Sequence, residues 1–247
     1  MTDDSPAADD DLFAASDHDR FTDYLRERAE PAWTEATDHR FTEALLADTL
    51  PDEVFARYLV QDYAFVRTLA SVVGHAAGQA PTLAAKAEFA AFLRTVATDE
   101  DDFFRRSFDA LAVPEADREA PALHPVTARF DDLLRRAVHE GDYAETLAVL
   151  VPAEWVYLTW ASRCESPPER FYLAEWVDLH RGAGFEGVVG FLRGELDDVG
   201  PTLSPHRERA VRRLFRRTVE YEVAFFDAAY EGVAAGDADG GSEARDG

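Results

Sequence analysis

Cysteine, lysine and cationic charge are what this 247-residue chain has least of. A single cysteine, Cys164, excludes an intramolecular disulfide and any zinc site built on cysteines. Lys86 is the only lysine among 25 basic residues; the rest are arginine. Against 49 acidic residues these leave a net charge of -24. So negative a surface repels the phosphate backbones of DNA and RNA and the anionic faces of membranes. No apolar run is long enough to cross a bilayer; the longest, Leu147 to Ala161, spans fifteen residues and carries Glu154 in its middle. Residues 1–19 show neither the basic start nor the apolar core of an export signal. A cytoplasmic, soluble protein is therefore expected. Gly-rich phosphate loops, nucleophile elbows and Ser/His/Asp spacings are also absent.

An acidic, lysine-poor surface suits a high-salt cytoplasm, where screening makes self-repulsion tolerable. Dilution should then destabilise the protein, since the Debye length grows from about 3 Å at 1 M salt to about 10 Å at 0.1 M. A melting temperature that falls across that range is the expected result. An unchanged one contradicts the halophilic reading.

What the chain does have is 47% apolar and 12% aromatic residues, enough for a substantial core. Their spacing is helical almost throughout, and alternating strand patterns bounded by turn residues are missing. The pattern predicts helices over 19–36, 38–48, 51–78, 81–111, 124–140, 142–164, 167–183, 185–198 and 204–234. Pro51, Pro81, Pro125, Pro168 and Pro205 fall near their starts, and Gly78, Gly141, Gly184 and Gly200 near ends. No linker divides the middle. A single all-α domain over 19–234 follows, between acidic tails at 1–18 and 235–247 expected to be disordered.

Three acids stand where apolar residues belong. Phe55, Tyr58, Leu59, Asp62, Phe65, Val66 and Leu69 recur in steps that share one helix face. Leu147, Leu150, Val151, Glu154, Tyr157 and Leu158 do the same, as do Val211, Phe215, Val219, Glu222, Phe225 and Phe226. Burying an ionised carboxylate without partners is costly, so such a group is paired, protonated or set in a polar cavity. Any one alone is equally explained by a core arginine. Three together, each ringed by aromatics, favour one shared cavity inside a bundle. None of the seven histidines has an acid three residues before it, which disfavours the di-iron pattern of bundles. No metal site is expected. His180, four residues after Trp176, could reach the cavity or simply cap its helix. Phe130 is an aromatic wall or plain core. Cys164 lies ten residues beyond Glu154, about 15 Å along a continuous helix, and is expected as a small buried filler.

Several blocks resemble one family. The opening has His39 and Phe41, then Leu50, Pro51 and Phe55, then Tyr58, Leu59, Gln61, Asp62 and Tyr63. The middle has Pro152, Trp155 and Tyr157; later come Trp176 and His180; the end has Tyr221, Glu222, Phe225 and Tyr230. In this order they resemble the TenA/thiaminase II family over about residues 30–232. The resemblance implies a haem-oxygenase-like helical bundle and hydrolysis of aminopyrimidine breakdown products of thiamin in thiamin salvage. It places a pyrimidine-binding aspartate on Asp62, a catalytic glutamate on Glu222, and ring-contacting aromatics on Phe65 and Tyr157. The family's nucleophilic cysteine position is Ala153 here, and two tyrosine positions are Phe130 and His180. One branch lacks the cysteine and carries a glutamate in this segment, which Glu154 matches. Glu154, Glu222 and Asp62 are thus the expected catalytic residues, with Phe65, Tyr157, Phe130, Trp155 and His180 around the substrate. The partner implied is a small pyrimidine, with no cofactor, no nucleic acid and no membrane, in a homotetramer or homodimer. A pyrimidine-binding or regulatory protein on the same scaffold is the alternative, because fold and kinship do not fix activity.

Overall fold

A computed structural model describes residues 12–231. Residues 1–11 of the first expected tail, the whole expected tail at 235–247 and the last three residues, 232–234, of the expected final helix lie outside the described residues. Twelve α-helices form one all-helical domain, with no strand among the described residues. They are α1 Phe21–Glu27, α2 Ala32–Thr37, α3 Arg40–Leu46, α4 Asp52–Gln79, α5 Leu83–Thr95 and α6 Asp101–Ala110. Then come α7 Glu115–Glu119, α8 Pro125–Glu140, α9 Tyr143–Ala161, α10 Phe171–Leu179, α11 Ala183–Val199 and α12 Pro205–Ala228. A π-helical turn, Val96–Glu100, joins α5 to α6.

The centre of the domain is α9. Sixteen of its nineteen residues are buried, as its unbroken apolar composition requires. It packs against α2, α4, α8, α11 and α12. Its start is set by a capping box: the Asp142 side chain accepts from the third helical N–H, and the Asp142 N–H donates to Glu145 Oε2 at 3.0 Å. The long helices α4 and α12 flank it. Each buries one stripe, and Asp62 and Glu222 sit inside those stripes among Tyr58, Leu59, Phe65, Phe215, Phe225 and Phe226. Ser204 caps α12, and proline occupies the first position of α8 and α12, where its missing N–H costs nothing.

Several boundaries differ from the expected ones. The helix over 19–36 is broken into α1 and α2 by a turn at Pro31, because an interior proline removes a helical hydrogen bond and crowds the preceding turn. The span 81–111 is interrupted by the π turn. A short helix, α7, occupies a stretch where none was expected. Residues 12–18, assigned to the tail, include a 3₁₀ turn over Phe13–Ala15; the Phe13 N–H donates to Glu208 Oε1 at 2.7 Å and its ring packs on Phe21. Finally, α9 ends at Ala161, so Cys164 lies beyond the helix in a turn. It is half-buried rather than a core filler, with its thiol 3.2 Å from the Ser166 carbonyl.

Gly200 follows α11 where the chain crosses the Phe21 ring. A Cβ built there overlaps the ring carbons, and Phe21 is fully buried with no room to withdraw. Gly200→Ala should therefore destabilise the fold by about 1–3 kcal/mol through overpacking. Urea unfolding would show this as a lower midpoint at unchanged slope; an unshifted midpoint removes the close approach as a constraint.

Candidate active site

Asp62 on α4, Glu154 on α9 and Glu222 on α12 are 4%, 6% and 2% exposed, and none has an ion-pair partner among the described residues. Asp62 Oδ2 and Glu222 Oε1 are buried with no hydrogen-bond partner there. Core arginines therefore do not account for these acids. Burial holds all three carboxyls well above the usual carboxylate range; the charge of Glu100 adds to it at Asp62 and Glu154, and those of Asp62 and Glu154 at Glu222. Each therefore holds its proton to higher pH than an ordinary carboxyl does.

Asp62 and Glu154 face one cavity of about 30 Å³. Phe65, Val66 and Leu69 of α4 and Ala153 and Tyr157 of α9 form its sides; Trp176 of α10 and His180, which caps that helix, close it. Glu222 is not part of the wall. It stands close enough for its charge to act on Tyr58 and Tyr157, and those of Asp62 and Glu154 to act on it. The Tyr58 and Tyr157 hydroxyls share a hydrogen bond of 2.7 Å. Burial raises both phenols, so they stay neutral donors.

His180 is buried and belongs to the site. A 2.8 Å hydrogen bond links its Nδ1 to the Trp176 carbonyl. A carbonyl only accepts, so Nδ1 carries the proton and Nε2 is left as an acceptor. Burial lowers the imidazole to about 4, so it is uncharged at neutral pH. Its ring lies 4.8 Å from Tyr157 and 4.3 Å from Trp176.

Two expected ring contacts are not on the wall. Trp155 points the other way, edge-on to Trp33 at 4.8 Å with the Arg193 guanidinium 3.7 Å from its ring centre. The cause is helix geometry, since neighbours in sequence project about 100° apart. Phe130 is core behind the wall, 4.6 Å from Phe65 and stacked on Tyr221 at 5.4 Å.

One wall residue was not anticipated. Glu100, the last residue of the π turn, faces the cavity beside Asp62 and Glu154. It falls four residues after buried Val96 and three before buried Phe103, the same stripe spacing that marks the other acids. The signal was masked by its neighbours: Asp99, Glu100, Asp101 and Asp102 read as a solvated acidic run.

A larger groove of about 860 Å³ runs along the opposite side of α4, past Arg57, Gln61 and His124. None of the converging carboxyls lines it, and Gln61 is already engaged with Ala122, His124 and Thr127. The small cavity is where unsatisfied acidic groups meet. No group of three or more His, Cys, Asp or Glu among the described residues has the geometry to hold a metal ion. No described helix is long and apolar enough to cross a membrane.

With the geometry in place, known proteins bear on it. A model of the TENA/THI-4/PQQC family matches residues 26–232. An aminopyrimidine aminohydrolase of Helicobacter pylori is 22% identical over 211 residues, 84% of this chain and 97% of that protein. One of Bacillus subtilis is 23% identical over 212 residues, 85% of this chain and 90% of that one. Among solved structures, a TenA homologue from P. horikoshii superposes with a TM-score of 0.76 at 23% identity, over 85% of this chain and 98% of that one. A TenA family transcription regulator from Silicibacter sp. gives 0.78 at 24% identity, over 85% and 96%. The expected haem-oxygenase-like bundle is thus the fold observed.

Proposed function

This chain belongs to the TENA/THI-4/PQQC family, and from that footing we propose that it hydrolyses a C–N bond of an aminopyrimidine or formylamino-pyrimidine breakdown product of thiamin, using carboxyl groups in place of a thiol. The observation that carries this reading is the pair Ala153 and Glu154 on the cavity wall. Ala153 stands at the position that the resemblance assigns to a cysteine nucleophile, and the only sulfhydryl, Cys164, lies past the end of α9. The residue beside it supplies a carboxyl instead, as in the glutamate-type branch.

The roles follow from chemistry. Asp62 accepts hydrogen bonds from the pyrimidine's amino group through its unpartnered Oδ2. Glu154 takes a proton from water as the water oxygen bonds to the carbon under attack. Glu222 gives a proton to the departing nitrogen, so one C–O bond forms as one C–N bond breaks. A base has to be ionised and an acid protonated, and coupled carboxyls divide that way because the first ionisation opposes the next. Phe65, Tyr157 and His180 enclose the ring. About 30 Å³ holds roughly two waters, so seating a ring requires the aromatic wall to part.

Mass spectrometry of products tests this directly. Incubation in high salt with thiamin and with formylamino- and aminomethyl-pyrimidines should convert one of the latter and leave thiamin intact. Ala153 also favours a second reading, a pyrimidine-binding protein. Tight binding of one compound with turnover of none would put that reading first.

A further inference from the structure

Asp99, Glu100, Asp101 and Asp102 form an acidic run in which only one member turns inward. Asp99 is exposed and accepts from Thr98 at 2.9 Å. Asp101 accepts from the Tyr63 hydroxyl at 2.6 Å and from Arg105 at 2.7 Å. Asp102 takes Arg106 at 2.8 Å. Glu100 has neither a hydrogen bond nor a counter-ion among the described residues, and it faces the cavity. The turn that aims it there is π-helical, a rare geometry that concentrates at functional sites. Unlike Asp62, Glu154 and Glu222, Glu100 is half-buried and keeps some access to solvent.

We propose that Glu100 is a specificity-determining residue of this site: its carboxylate receives the ammonium group of an amine-bearing, cationic pyrimidine and ranks it above a neutral pyrimidine of the same shape. The proposal rests on the reading that the cavity takes a pyrimidine.

No arginine or lysine lines the cavity, so nothing there repels a cation. The titratable groups that share the cavity with Glu100 are Asp62 on α4, Glu154 and Tyr157 on α9 and His180 after α10, and Asp99 is its charged neighbour on the turn. Arg105 is the near cation and is committed to Asp101. Burial favours the uncharged forms of Asp62 and Glu154, and His180 is neutral. Burial, then the charge of Asp99, raises Glu100 to about 7. Its charge therefore appears between pH 6 and pH 8, where an alkylamine stays protonated throughout.

Binding of aminomethylpyrimidine and of hydroxymethylpyrimidine to the full chain, by calorimetry at pH 6 and pH 8, tests this. The two differ by one ammonium against one hydroxyl. A charge-assisted hydrogen bond corresponds to a preference of about ten- to a hundredfold for the amine at pH 8, and a smaller one at pH 6. Glu100→Gln should bring the preference near unity at both pH values and leave hydroxymethylpyrimidine affinity as in the parent. Glu100→Asp should keep part of it. A Gln variant that retains the preference, or a preference that does not move with pH, overturns the assignment while leaving the pyrimidine site standing. If the parent protein binds neither compound, the pyrimidine reading fails and takes this proposal with it.

Discussion

Glu154→Gln should lower kcat by about 10²- to 10⁴-fold on the best substrate, the usual contribution of a positioned acid or base. The amide keeps the shape and hydrogen-bonding reach of the side chain but cannot take a proton. Substrate affinity should stay near the parent value, because the loss is confined to the transition state. Cys164→Ser is the control. The thiol lies in a turn beyond α9 and does not line the cavity, so the change should be nearly silent. Asp62→Asn should act mainly on binding and Glu222→Gln mainly on turnover. A silent Glu154→Gln beside an inactive Cys164→Ser would mean that the chemistry sits elsewhere.

The same acids should govern how stability varies with pH. Asp62, Glu154 and Glu222 titrate far higher folded than unfolded. A group raised in this way adds stability that is complete below its unfolded value, about 4, and is lost as pH climbs toward its folded value. In that window each one still protonated in the fold subtracts about 1.4 kcal/mol per pH unit. Asp48, Asp101 and Glu145 have the opposite sign. Although partial burial opposes it, their hydrogen bonds to arginine, tyrosine or backbone groups pull them below the ordinary range. Their contributions are lost as pH falls through those lowered values. Stability should therefore peak on the acidic side of neutrality. Glu222→Gln removes one slope, so its stability relative to the parent should rise as pH climbs from 5 toward 8, by at most about 1.4 kcal/mol per pH unit. A poorly satisfied amide would offset the curve without changing that slope. Urea unfolding at pH 5, 6.5 and 8 measures it, and parallel curves for the two proteins would refute it. Function and stability then pull apart: the substitution that costs turnover strengthens the empty fold.

Asp62, Glu154 and Glu222 were legible because each interrupts an apolar stripe, and a stripe reports which way a side chain faces. Trp155, expected around the substrate from the resemblance block, faces away, because one step along the helix from Glu154 turns to another face. Phe130 lies on an inward face, but inward includes a layer behind the wall. Helix positions survived well where prolines marked their starts. Breaks inside continuous apolar patterns did not, because the π turn at Val96–Glu100 barely disturbs the spacing. Glu100 obeys the stripe rule as well as the other acids do. In a chain carrying 49 acidic residues, its acidic neighbours hid it.

The two acids most distant in sequence come from α4 and α12, the first long helix and the last described one. Between them pass the helices that build everything else. On the ribosome, the half-made protein therefore holds Asp62 and later Glu154 before Glu222 exists. Only when α12 has been synthesised and docks along α9 does Glu222 join the other two and add its charge to their surroundings. The set of three buried acids is then complete only once the last described helix is in place.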